Sequence, residues 1–258
     1  MGILQTAERS TQLDPSENVI YQRHVIAYKE SASLIHGTVL EIGSGEGYGM
    51  IELAPKAEHY IAIDKYETLI PKELKEKNNI TFIKSEVPPL EEIKDESVDF
   101  VVSFQVIEHI KNDKLFLQEI YRVLKPGGKA ILTTPNLLMS LSRSPWHIRE
   151  YDPEEMKEIL KTSFKKIELK GIFGNEKVME YYKKNKESVE RITRFDIFRM
   201  QYWLPRWLLE IPYDILNRFN RHYLQDNNEE MVNSIVSSDY MLRESKDDCL
   251  DHFCIVTK

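Results

Sequence analysis

Residues 39–49 read Val39-Leu40-Glu41-Ile42-Gly43-Ser44-Gly45-Glu46-Gly47-Tyr48-Gly49. An apolar strand runs into an acidic residue and then into alternate glycines, a pattern that lets the main chain turn tightly and approach a ligand. A second apolar run, Tyr60-Ile61-Ala62-Ile63-Asp64, ends on a carboxylate. Gly43 and Asp64 stand about 20 residues apart, the separation between a glycine-rich turn and a ribose-binding acid in a nucleotide-binding α/β fold. The pairing predicts a pocket for an adenosine-containing cofactor.

The glycines fall at 43, 45, 47 and 49, and Tyr48 stands where a dinucleotide-binding G-x-G-x-x-G turn has its third glycine. Glu41 and Glu46 add negative charge, which opposes a pyrophosphate and suits a ligand carrying a sulfonium and an ammonium group. The cofactor expected is therefore S-adenosylmethionine, held by Glu41, Gly43, Ser44, Gly45 and Gly47. Asp64, followed by Lys65, is placed to accept bonds from the ribose hydroxyls, and it also reads as a helix N-cap. The third strand leads into Lys84-Ser85-Glu86-Val87, where Ser85 or Glu86 bonds the adenine amine and Val87 packs on the ring.

Outward from these motifs, candidate strands are Thr38 to Ile42, His59 to Ile63, Ile80 to Lys84, Val98 to Phe104 and Lys129 to Thr134. Helical stretches separate most of them: Tyr48 to Ala54, Tyr66 to Lys77, and Asn112 to Leu124 before the stop signal Lys125-Pro126-Gly127-Gly128. This alternation implies a parallel sheet covered on both faces. Residues 17–36 read as an amphipathic helix ending near Gly37, with Val19, Ile20, Ala27, Leu34 and Ile35 as its apolar positions. Strands from Phe164 to Leu169 and from His252 to Thr257 bracket an insertion rich in basic and aromatic residues. Its apolar part comprises Phe195, Phe198, Tyr202, Trp203, Trp207, Leu208, Ile211, Tyr213 and Leu216, with Pro205 and Pro212 dividing it into short helices. We read it as a helical lid packed on the domain; the alternative is a peripheral membrane contact. The resulting plan is an N-terminal helical cap (1–37), a core (38–174), a lid (175–247) and a last core strand (248–258).

The 258 residues are 41% hydrophobic, enough to bury a large core, and the formal net charge of −7 argues against a nucleic-acid partner. Cys249 and Cys254 are the only cysteines and read as reduced thiols. Residues 1–15 lack an apolar signal core, and no apolar run approaches a membrane span. The expectation is a cytoplasmic protein without a transmembrane segment.

Longer motifs carry a family resemblance: EIGSGEGYG at 41–49, DESVDFVVSFQVIEHI at 95–110, RVLKPGGKAILTTPN at 122–136 and PWHIREYDPEEM at 145–156. With strand-end Asp64, these resemble the class I S-adenosylmethionine-dependent methyltransferases. Arg23, His24, Ala27 and Tyr28 add a likeness to a bacterial branch with GEGYG loops and an IEH motif, whose members act on sugars, lipids or other small metabolites. The resemblance implies a Rossmann-like α/β sheet of seven mostly parallel strands, order 3-2-1-4-5-7-6, with the seventh antiparallel. It also implies methyl transfer to a small-molecule, sugar or lipid-type acceptor, a hydroxyl first and an amine next.

Phe104 and Gln105, at the end of the fourth strand, are expected beside the methionine part of the cofactor. His109 reads as a general base or as an organiser of its loop. His147 reads as a base or acceptor ligand oriented by Arg149 or Tyr151, or as part of a loop-to-helix cap at Asp152-Pro153-Glu154. The N-terminal helix, with Tyr21, Arg23, His24 and Tyr28, is expected to close over the cofactor, these groups binding an acidic acceptor or the cofactor carboxylate; the alternative is a plain surface helix. Some related small-RNA and quinone-precursor methyltransferases bind a divalent metal through E-x-x-E-H and a later histidine. Here Gln105 replaces the first glutamate, leaving Glu108, His109 and His147, and the reading is that no metal is used. Two other classes remain open, an NAD-linked oxidoreductase and a non-catalytic cofactor-binding partner protein.

Overall fold

A computed structural model of the chain describes residues 14–68, 70–74, 77–194 and 200–258. The N-terminal helix α1 (Asn18–Ala32) is followed by β1 (Thr38–Ile42), the short α2 (Gly49–Leu53) and β2 (His59–Asp64). Then come β3 (Ile80–Lys84), β4 (Val98–Phe104), α3 (Asp113–Val123) and β5 (Leu124–Pro135). After α4 (Pro153–Lys161) and β6 (Lys166–Gly174), the chain forms α5 (Glu176–Thr193), α6 (Met200–Trp203), α7 (Arg206–Asn227) and α8 (Glu229–Ser234). It closes with β7 (Tyr240–Glu244) and β8 (Asp251–Thr257).

The strands form one sheet in the order β3-β2-β1-β4-β5-β8-β6-β7. The first five run parallel, and β8 lies antiparallel between β5 and β6. This matches the expected order with one strand added. β7 pairs with β6 at the edge, inside a segment expected to be helical throughout. Side chains alternate across the pleat, so Val39 joins a core with α1 and α2 on one face while Leu40 joins α3 and α4 on the other.

Local expectations shift in four places. α1 ends at Ala32, four residues early, and Leu34 is exposed. The helix expected from Tyr66 to Lys77 is, among the described residues, a single 3-10 turn over Lys72–Leu74. Pro71 disfavours helical backbone at Ile70, and Thr68 is drawn away to the glycine loop, its Oγ1 donating to the Gly45 carbonyl at 3.0 Å. Residues 125–128 do not form a free turn. They bulge within β5, whose pairing with β4 jumps from Val98↔Leu124 to Phe100↔Lys129. The strand expected from Phe164 begins at Lys166, because Phe164 is buried against the Tyr121 ring at 5.5 Å.

In the insertion, Pro205 precedes α7 as expected, but Pro212 lies inside a continuous 22-residue helix. Side-chain bonds on either side of the proline hold it together. Arg206 donates to the Ile148 carbonyl, Asp214 accepts from Trp146 Nε1, and Asn220 donates to Asn185. The apolar residues expected to be buried here are largely exposed: Tyr202, Trp203, Trp207, Leu208, Ile211 and Leu216. The last four lie on α7, which turns its polar side to the protein. Phe195 and Phe198 lie outside the described residues. Among the described residues, no helix is long and apolar enough to cross a membrane.

Candidate active site

β1 delivers the glycine loop to the carboxyl edge of the sheet, the edge at which open α/β folds bind ligands. Gly43 has φ +82°, and a Cβ there would stand 2.4 Å from Val106 Cγ2, so the turn and the close approach of the β4 loop both require glycine. At Gly49 the constraint is packing alone, since a Cβ would lie 2.0 Å from the Tyr28 ring of α1.

A cavity of about 420 Å³ opens above this loop. Gly43, Ser44, Gly45, Asp64, Lys65, Ser85, Glu86, Val87, Phe104 and Gln105 line it, ten of the twelve residues expected to bind cofactor. Glu41 and Gly47 do not line it. The Glu41 carboxylate is buried beneath the loop, where Tyr28 Oη donates to it at 2.9 Å and Tyr60 Oη at 2.7 Å. Burial pushes its pKa up to about 7, against the lowering effect of the two tyrosine bonds. Its expected role as a charge facing the ligand is thereby corrected. It ties α1 to β1 and β2 under the site.

The Asp64 carboxylate accepts the Gly45 amide at 2.8 Å and the Tyr66 amide at 2.8 Å, so it builds the loop as well as facing the cavity. Gln105 also has a positive φ, +56°, and its backbone N–H donates to the Thr133 carbonyl at 2.9 Å. This left-handed residue lets the chain leave β4 toward the 3-10 turn Ile107–His109.

A second cavity, of about 220 Å³, adjoins the first, and His24, Gln105 and His109 line both. Arg23, Glu108, His147, Glu150, Tyr181, Asn217, Asn220 and Arg221 are among its other walls. Of the expected acceptor residues, His24 is there. Tyr28 lines the first cavity instead, and Tyr21 lines neither; its ring packs on Tyr48 at 5.1 Å. Arg149 and Tyr151 also line neither cavity, and both bond Asp113, Tyr151 Oη at 2.9 Å. Tyr151 is buried in the core. They do not orient His147.

Glu150 does so, its Oε1 lying 2.5 Å from His147 Nδ1, while its other oxygen accepts from Ser140. His109 Nδ1 meets the Trp146 carbonyl at 3.1 Å, and the two imidazoles stand edge to face with centroids 5.0 Å apart. Glu108 is buried beside them with its Oε2 accepting from Thr134; burial raises its pKa against the pull of His109 and His147. Glu108, His109 and His147 bring one ligand atom each within 4.8 Å of one another and are the residues here able to hold a divalent ion.

Sequence reasoning named Arg23 beside His24 on the N-terminal helix, and Arg23 lines the second cavity; it missed Glu150 there and Trp146 in the wall of the first. The signal for Glu150 is its place three residues after His147.

S-adenosylmethionine fits these residues. A Cβ built on Gly45 meets nothing within 4 Å, so the cradle over the loop is open to a ligand. Val87, Ile63 and Ile110 give an apolar wall for a purine, and Asp64 stands at the strand end for a diol.

A methyltransferase-domain family model matches residues 40–132. A protein of Mycolicibacterium smegmatis described as a probable S-adenosylmethionine-dependent methyltransferase is 35% identical over 175 residues, 65% of this chain and 68% of that protein. The ubiquinone biosynthesis O-methyltransferase of Rickettsia bellii is 29% identical over 158 residues, 53% of this chain and 65% of its own. Among solved structures, phosphoethanolamine N-methyltransferase 2 of Haemonchus contortus, in complex with phosphomonomethylethanolamine and S-adenosylhomocysteine, shares the fold at TM-score 0.53 and 17% identity. That alignment covers 99% of this chain and 61% of the other. With its glycine loop, strand-end aspartate and sheet order, the chain belongs to the class I S-adenosylmethionine-dependent methyltransferases.

Proposed function

We propose that the chain methylates a hydroxyl, or else an amine, of a small-molecule, sugar or lipid-type acceptor bound in the second cavity. The observation that carries this reading is the Glu150–His147 pair on the wall of that cavity, next to His109 at its junction with the cofactor cavity. When bound, S-adenosylmethionine supplies a methyl carbon made electrophilic by the positive sulfur. The protein then has to align the acceptor and strip it of water. A hydroxyl must also lose a proton, which calls for a base within reach.

His147 is that base. Glu150 holds its Nδ1 proton, which puts the lone pair on Nε2 and stabilises the imidazolium once the acceptor proton has moved. His109, steadied by the Trp146 carbonyl, is the second candidate. Arg23, Asn220 and Arg221 give the acceptor cavity a polar wall suited to a hydroxyl-rich group. In this reading Asp64 binds the ribose and Ser85, Glu86 and Val87 the adenine. Phe104 and Gln105 flank the methionine part, α1 caps the cofactor, and the helices α5 to α8 form the lid.

The test is mass spectrometry of metabolite and lipid extracts incubated with the chain and a methyl-labelled donor. An acceptor labelled on oxygen or nitrogen is the expected result. Donor binding with no labelled product in any fraction would assign the chain to the non-catalytic partners.

Asp64→Ala is expected to weaken cofactor binding by roughly 1.5–3 kcal/mol, because it removes a charged acceptor and frees the Gly45 amide. Calorimetry showing unchanged affinity would overturn the ribose assignment. The reaction is also expected to run without a metal, since Gln105 stands where the E-x-x-E-H pattern has its first glutamate and the cluster is left with Glu108, His109 and His147. Dialysis against a chelator should leave turnover intact. Loss of turnover restored by Mg²⁺ or Zn²⁺ would reassign Glu108, His109 and His147 as ligands.

A further inference from the structure

Trp146 stands where three parts of the site meet. It lines the first cavity, over the glycine loop. Its carbonyl faces His109 Nδ1 at 3.1 Å, and His147 follows it in the chain. Its indole Nε1 donates to the Asp214 carboxylate of α7 at 3.0 Å. A bond from an N–H to a carboxylate is charge-assisted and stronger than a neutral one. Asp214 itself lines neither cavity. Among the described residues, the indole is the single partner of its carboxylate.

The bond belongs to a larger fastening. Arg206 Nη2, at the start of α7, donates to the Ile148 carbonyl at 2.7 Å. Arg143 Nη1 donates to the carbonyls of Gln201 and Tyr202 on α6, both at 3.0 Å. α6 and the first half of α7 are thus tied to residues 143–148, the loop that carries Trp146 and His147. The same loop grips the turn after β4. The backbone N–H groups of Ile148 and Arg149 donate to the Glu108 carbonyl at 2.6 and 3.2 Å. The arginine bonds place the main chain, whereas Asp214 holds the ring of Trp146. An indole has two side-chain torsions, so a fixed Nε1 leaves it little freedom. We propose that Asp214 is a positioning residue for both cavities. Through Trp146 it sets one wall of the first cavity and keeps His109 and His147 in register. The assignment rests on the reading that methyl transfer takes place where the two cavities meet. By linkage, a ligand seated against Trp146 strengthens the contact with α7 as much as that contact strengthens its binding.

The test is calorimetry of the full chain with S-adenosylhomocysteine, beside turnover on the labelled acceptor. Asp214→Ala is expected to raise the dissociation constant about fivefold or more and to lower kcat about tenfold. Asp214→Asn should recover most of both losses, since an amide oxygen still accepts the Nε1 proton. Trp146→Phe keeps a ring and removes the donor, so Asp214→Ala in that background should cost nothing further. An Asn variant as impaired as the Ala variant overturns the proposal. So does unchanged affinity in Asp214→Ala, or an equal loss in the Phe background. A second measurement keeps Asp214 in place. With Trp203→Phe/Trp207→Phe, Trp146 is the single tryptophan, and the same titration should change its emission. An unchanged spectrum also overturns the proposal. Calorimetry and emission need no acceptor, so they decide the role of Asp214 by themselves. Absence of methylated product with the binding results intact would overturn the methyl-transfer reading alone.

Discussion

His147→Ala is expected to lower kcat by about 10²–10⁴-fold, the usual worth of a positioned acid–base group. The dissociation constant for S-adenosylmethionine should stay nearly constant, because His147 lines the second cavity and is absent from the walls of the first, over the glycine loop. Glu150→Gln should reproduce part of the loss, since an amide still bonds Nδ1 but no longer stabilises the imidazolium. The double variant should lose about as much as His147→Ala alone, because the two side chains act as one unit. Turnover assays on the labelled acceptor beside donor calorimetry separate these effects. Parallel loss of turnover and donor affinity would make His147 a structural residue.

A second large effect concerns pH. Glu41 has a folded pKa of about 7 against an ordinary value of 4.5, so the native state keeps its proton where the unfolded chain releases it. Between those values the folded form binds more protons and stability falls as pH rises. Below 4.5 the contribution is fully present, and above about 7 it is gone. The difference corresponds to about 3 kcal/mol, as an order of magnitude. Burial between β1 and α1 is the cause, with the neighbouring charge of Asp64 adding to it. Asp251, buried beside Arg23 with a pKa raised to about 6, adds a fall of the same sign below that pH. Glu41→Gln isolates the first term, because Asp251 is common to both proteins. Urea unfolding at a series of pH values should show wild type losing more stability than the variant between pH 5 and pH 8. Parallel curves would contradict the elevated Glu41 pKa.

The parts of the site legible in sequence are those carried by short stretches of chain. The glycine loop, Asp64 and the Ser85–Val87 segment each follow a strand, and a parallel sheet presents the ends of its strands at one edge. The second cavity was legible only in part. His109 and His147 stood out by residue type, yet Arg149 and Tyr151, two and four residues after His147, are drawn off to Asp113 on α3. Glu41 followed the same rule: its position pointed to the ligand, but Tyr28 and Tyr60, 13 and 19 residues away, claim its carboxylate.

The sequence by itself determined the first five strands, the glycine turn and the acid that follows, because strand periodicity and backbone steric limits act over a few residues. Only the tertiary structure decided that Glu150 is the partner of His147 and that α7 faces outward. Periodicity shows that a helix has an apolar side. Which way that side turns depends on bonds such as Asp214 to Trp146 and Asn220 to Asn185, made between segments far apart in the chain.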